Sequence, residues 1–343
     1  VTAPDRARDS IAMARLVFGS GFADENAVIQ GNINVNSPLI YDDAMSAALR
    51  VYAKAGQCVC VSPAIFAGAM GPLSPAAVAA QTLAEGMVGI ALTQLVREGC
   101  PVVFGSFHST MNLKSGALTF GSPEANLATM ALSQLGRRLG VPARSGGGHV
   151  TASNAADGQA MQDSVGAMWA TRLSGAHQVW HAAGWLEGGL TVSYEKLITD
   201  LEVLQMVAEL CLAQQSAGSD LGLDAIEEVQ PGGHFFGAGH TMERYQTEFY
   251  APLVSDYANF GTWTERGAVN TTDRATVIWK NILSEPSPVA VNGDRWYRTG
   301  QSSDLGRSHE RLTGELLLVF QIAAGLARRA AGALDGDQYQ GHR

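Results

Sequence analysis

The sequence predicts an α/β protein in which short apolar strands alternate with longer Ala-rich helices around a parallel sheet. Three observations predict it. Strand-like, β-branched runs begin near Val28, Cys58, Pro101, Pro142 and Gln178. The last four starts lie roughly 40 residues apart with a helical run in each gap, the spacing of repeated β–α units rather than of hairpins. The helix starts and stops are punctuated to match. Ser74-Pro75 and Ser122-Pro123 each set a hydroxyl at an N-cap and a proline at the first helical position, while Gly99 and Gly140 end helices on a residue that tolerates left-handed geometry.

Taken in order, the five strands release the chain through residues 34–38, 63–70, 107–111, 144–149 and 181–187. A helical pattern over 154–173 delivers the chain to the strand at 177–182. With every strand parallel, these exits share one face, where either a closed barrel or an open doubly wound sheet would hold a site. A glycine-interrupted turn at 184–189 follows, then a long helix over 194–215 and a glycine-rich stretch at 231–239. From about Ser284 the composition turns to Pro, Ser, Asn and Gly before a closing Ala/Leu helix over 310–333.

Composition narrows the function. The 343 residues are 46% hydrophobic and 16% charged, less charged than an average domain at about 25%, which suits a large buried core. That length allows one large barrel or two ordinary domains. The net charge is -9, and the 23 Lys and Arg form no run that neutralises successive phosphates, which argues against nucleic acid as a partner. No run of about 18 consecutive apolar residues is present and residues 1–10 are polar, so neither a membrane span nor a secretory signal is expected, and the expected location is cytoplasmic. Cys58, Cys60, Cys100 and Cys211 lack the paired spacing of a zinc site and are expected to be buried, reduced thiols. The chain opens on Val rather than Met, so an N-terminal portion is expected to precede it.

Arg144 leaves a strand and is followed by Ser145 and three glycines, so its fixed fork of donors can meet a carboxylate; the alternative is a structural ion pair. His181 occupies a similar position on the next strand, flanked by Trp180 on the opposite strand face, and is either a carboxylate ligand and acid or base, or a satisfied core histidine. Trp185 and Glu187 set an aromatic face beside a carboxylate, a receptor for a quaternary ammonium. Against that stands a tryptophan capping the sheet mouth and a glutamate at a helix start. Residues 231–237 lack the Walker lysine and the GxGxxG spacing, which discounts a nucleotide and leaves His234 and His240 as hydrogen-bonding groups near a ligand. His108, His181, His234 and His240 have no metal-motif spacing, and no metal is expected. No G-x-S-x-G elbow is present.

Several of these segments resemble one family. Residues 32–39 (NINVNSPL), 67–72 (AGAMGP), 114–117 (KSGA), 181–190 (HAAGWLEGGL), 231–237 (PGGHFFG) and 240–250 (HTMERYQTEFY) are similar, in order, to the trimethylamine methyltransferase (MttB) superfamily. The resemblance implies a TIM-type (β/α) barrel over 1–283, with its first β–α units ahead of Val1, and a C-terminal helical extension over 284–343. It implies methyl transfer from a methylated amine to the cobalt of a separate corrinoid protein. Pyrrolysine is absent, which resembles members acting on quaternary amines such as glycine betaine. On that resemblance Arg144 and His181 hold a substrate carboxylate, Phe107, Trp185 and Glu187 surround the cation with His234 nearby, and His181 and Glu187 are the catalytic candidates. The oligomeric state is left open, a homo-oligomer included. The rival readings are a non-catalytic betaine-binding or scaffold subunit and a metal-dependent lyase or hydrolase on the same barrel.

Overall fold

The computed structural model describes residues 3–145, 148, 150–211 and 221–284. The expected closing helix and nearly all of the C-terminal extension lie outside the described residues, as do His149 and the end of the long helix beyond Cys211. The chain divides into two units, Val1–Tyr257 and Ala258–Arg343.

In the first unit, helices α1 (Pro4–Phe18) and α2 (Ser20–Glu25) precede a strict alternation: β1 (Gln30–Val35), α3 (Asp43–Lys54), β2 (Cys58–Ala67), α4 (Pro75–Val96), β3 (Val102–Thr110), α5 (Pro123–Arg138), β4 (Ala143–Ser145), α6 (Gly158–Ser174) and β5 (Gln178–Val179). Local chemistry sets the starts of α3 to α6. The side chains of Asp42, Ser74, Ser122 and Asp157 accept hydrogen bonds from the amides of Met45, Ala77, Ala125 and Ala160, each cap stabilising its helix by about 1 kcal/mol. Gly99 and Gly140 both take positive φ, as their place between helix and strand predicts.

Strands β1 to β5 form one parallel sheet in chain order. Its two faces differ because side chains alternate along a strand. Ile33, Val35, Val59, Val61 and Phe104 face the helices and build the core with Leu49, Tyr52 and Leu132. Helices α4 and α5 clamp the Phe104 ring at glycines, since a Cβ at 86 would stand 2.5 Å from it and one at 136 would stand 3.4 Å from it. Burying that ring contributes about 1.5–3 kcal/mol. Asn32, Cys60, Ser62, Phe107, Arg144 and Gln178 lie on the opposite, polar face. Across that face Gln30 of β1 and Gln178 of β5 exchange side-chain amide hydrogen bonds of 3.1 Å.

Two expectations are corrected. Not every strand is parallel: β6 (Trp185–Leu186) and β7 (Thr191–Val192) pair antiparallel. Positive φ at Glu187, Gly188 and Gly189 reverses the chain between them. Nor are all four thiols buried, because Cys211, at the end of α7 (Tyr194–Cys211), is exposed beside Arg172 Nε at 3.1 Å. Among the described residues α4 alone is long and apolar enough to cross a membrane. Its buried residues pack on β2 and β3, and buried Glu85 on the same helix accepts hydrogen bonds from Ser37 Oγ and Leu39 N. The unit continues through α8 (Leu223–Val229) and α9 (Gly239–Arg244). The second unit contributes α10 (Phe260–Glu265) and α11 (Thr271–Ser284).

Candidate functional site

Arg144 stands on β4, register-paired with Gly105 on one side and Gln178 on the other. A Cβ at 105 would lie 2.2 Å from Ser62 Oγ, so glycine there leaves the passage through which the guanidinium reaches β2. Arg144 is 3% exposed. Nη1 donates to Ser62 Oγ and to the Ser106 carbonyl, and Nη2 donates to His181 Nδ1, all at 3.4 Å. The guanidinium also lies 4.3 Å from the centre of the Trp180 ring. Ser62 Oγ in turn donates to Asn32 Oδ1 at 2.7 Å, so the charge is held by neutral groups.

Among the described residues no carboxylate pairs with Arg144, and its buried Nε–H has no acceptor. Burial pulls its pKa down to about 10, so the side chain stays cationic at neutral pH. A buried cation with one unanswered donor is costly on its own and is stabilised when an anion arrives. The ion-pair alternative for Arg144 therefore has no partner among the described residues.

His181 adopts a left-handed backbone, φ 54°. Burial first, and Arg144 second, pull its pKa down to about 4, so at neutral pH the ring is uncharged and Nδ1 accepts from Arg144. Its ring lies 5.1 Å from Phe107 and 5.4 Å from Trp185, and Phe107 continues to Phe120 at 5.2 Å and Phe66 at 6.2 Å. The result is an aromatic wall that begins beside the guanidinium. The thiol of Cys60 lies 3.4 Å from Ser62 Oγ, and burial pushes its pKa up, so it supplies no thiolate to neutralise the cation.

The structure thus brings Arg144, His181, Phe107 and Trp185 together. It does not bring Glu187 to them: this side chain is exposed and accepts from Thr191 Oγ1 at 2.6 Å. His234 is also exposed, its ring 5.8 Å from Phe236. His108 faces the helices, bonded at 3.0 Å to the Ala125 carbonyl and to Thr129 Oγ1 of α5, on the opposite sheet face from Phe107. Among the described residues no group of three His, Cys, Asp or Glu side chains is arranged to hold a metal. Sequence reasoning passed over Ser62, Phe66, Phe120 and the stacking role of Trp180. The two-residue period of β2 was the available signal for Ser62 and Phe66, whereas Phe120 lies in a connection without periodicity.

Together these features define an α/β chain of repeated β–α units whose strand ends gather a wall of rings and a buried guanidinium with no carboxylate partner among the described residues. The chain belongs to the trimethylamine methyltransferase (MTTB) family, whose model matches residues 1–297. It is 38% identical over 289 residues to a glycine betaine methyltransferase of Desulfitobacterium hafniense (strain Y51), covering 84% of this chain and 60% of that protein. It is 28% identical over 282 residues to a trimethylamine methyltransferase MttB of D. hafniense (81% and 56% covered). It is 29% identical over 245 residues to MttB2 of Methanosarcina mazei (71% and 48% covered). The chain spans less than two thirds of the length of these curated relatives.

Proposed function

We propose that this chain carries the amine site of a corrinoid-dependent methyltransferase, which moves a methyl group from a quaternary amine of the betaine type to a corrinoid protein. The observation that carries this reading is Arg144, a buried cation that lacks a carboxylate among the described residues and stands beside the aromatic wall. A small zwitterion answers both features, its carboxylate at Arg144 and neutral His181, its trimethylammonium against Phe107 and Trp185. Trimethylamine has nothing to offer the arginine. The likeness to a protein named glycine betaine methyltransferase points the same way.

The sheet is, in this reading, the described portion of a TIM-type (β/α) barrel. Strand order follows chain order without the reversal of a doubly wound sheet, and the Gln30–Gln178 link supports strong curvature.

The corrinoid, brought by a partner protein as methyl acceptor, supplies a nucleophile with two electrons. The half-buried Phe107, His181 and Trp185 fit an acceptor that arrives from outside. The methyl leaves nitrogen without its bonding pair, so the substrate's positive charge disappears as the bond breaks. Rings that stabilise the ammonium therefore favour the ground state, and their service is binding and orientation. Holding the methyl in line supplies up to about 7–11 kcal/mol of the barrier. Arg144 and His181 do this by fixing the far end of the molecule. Glu187, exposed and turned to Thr191, is not given a proton-transfer role, and a quaternary ammonium leaves as a neutral amine without one.

The test is methyl transfer to cob(I)alamin from glycine betaine and from trimethylamine, with the intact chain and with Arg144→Ala. Transfer from glycine betaine that disappears in a folded Arg144→Ala variant supports the reading. Tight glycine betaine binding without transfer to free or protein-bound corrinoid would make the chain a binding subunit instead. Activity that needs stoichiometric metal would favour the lyase or hydrolase alternative.

A further inference from the structure

Between His181 and Trp185 the chain passes through left-handed conformations at His181 and Gly184. A non-glycine residue there costs about 1–2 kcal/mol and persists when its surroundings over-determine it. The anchor is a helix away. Gly184 N–H donates to Asp200 Oδ2 at 2.8 Å, while Ser193 N–H donates to the Gly184 carbonyl at 3.0 Å. Asp200 lies on α7, 0% exposed, and pairs with Lys196, 1% exposed, one turn earlier at 2.5 Å. Ser164 of α6 closes the cluster, donating to Asp200 Oδ1 at 2.9 Å and accepting from Lys196 Nζ at 2.6 Å.

Buried ion pairs are often matched or exceeded in stability by apolar side chains of equal volume, so stability is a weak account of this one. Its distinctive output is an acceptor held by α6 and α7 and aimed at the amide between the two site rings. We propose that Asp200 is a positioning residue: through Gly184 it holds His181 against Arg144 and Phe107 and holds Trp185 against His181. This deepens the betaine-site reading and rests on it for the consequence in binding.

Two variants test it in the intact chain: Asp200→Asn, which leaves Lys196 with a neutral partner, and Lys196→Met with Asp200→Leu, which keeps packing but removes the acceptor. The readout that needs no substrate is the titration of the His181 ring by NMR. Released from its place, the ring should titrate nearer the ordinary imidazole range than the wild type does. Glycine betaine binding, measured by calorimetry, should weaken about tenfold, the scale of one lost hydrogen bond. A folded double variant with unchanged His181 titration overturns the proposal. Wild-type protein that binds no betaine, with the His181 titration nonetheless moved toward the ordinary imidazole range in the double variant, would retain Asp200 as the anchor and sink the reading of the ligand.

Discussion

Gln30 and Gln178 exchange a reciprocal pair of side-chain hydrogen bonds at 3.1 Å although they belong to β1 and β5, the outermost strands of the sheet. A flat sheet would hold those strands about 19 Å apart, beyond the reach of two glutamines. The sheet is therefore curled about its polar face, and that curl brings Arg144, Phe107 and His181 to a common centre. Replacing either glutamine by Ala should cost about 1–2 kcal/mol, because the partner amide is left half-buried and unanswered. A double-mutant cycle read by urea denaturation should give a clear coupling energy; additive losses would show that the two side chains do not support each other.

Arg144 should separate stability from binding. Arg144→Met removes a buried charge that has no acid partner among the described residues, so thermal stability should rise, by about 1 kcal/mol or more. The same variant should bind glycine betaine at least about a hundredfold less tightly, the scale of two charge-assisted hydrogen bonds. A drop in melting temperature would mean that an anion belonging to the chain already answers the guanidinium.

Phe107 and Trp185 should recognise charge rather than shape. Alanine at either position should weaken glycine betaine by about 0.5–2 kcal/mol. The loss should be much smaller for 3,3-dimethylbutanoate, which replaces the ammonium by a neutral tert-butyl group of similar size. Equal losses for both ligands, measured by calorimetry, would reduce the rings to apolar walls.

Glu187 provides a contrast. It is exposed and bonded to Thr191, so Glu187→Gln should leave glycine betaine affinity within about twofold, as surface changes away from a site do. A tenfold loss would place the carboxylate at the ligand after all.

His108 should govern part of the acid response. Burial lowers its pKa from 6.5 to about 4, so the unfolded chain takes up the proton first. Its contribution is complete above pH 6.5 and is lost as pH falls from 6.5 toward 4, at up to about 1.4 kcal/mol per pH unit. His181 is shifted in the same direction and adds to the slope. Denaturation of His108→Gln against wild type should show a flatter decline through that window; parallel curves would contradict a neutral, buried imidazole.

Much of the fold was legible because its signals are local. N-caps at Ser74 and Ser122 and stops at Gly99 and Gly140 act within a turn of helix, and β-branched runs mark β1 to β3 by their own periodicity. Strand β5, expected over 177–182, forms parallel as read but only at Gln178–Val179, while β6 and β7, two residues each, carry too little pattern to declare themselves, which is why their antiparallel pair escaped. Recognition of the family likewise needed only ordered residues along the chain. The site depended on what no local rule reaches. Arg144 could be suspected at a strand exit, but that it lacks an acid partner among the described residues follows from the register of β2, β3 and β4. Trp185 and Glu187, two residues apart, looked like neighbours on one face; left-handed geometry at Glu187 breaks the alternation and turns one toward His181 and the other to solvent. Short-range sterics and capping determined which elements form, while the burial of side chains from distant strands against one another decided which residues meet.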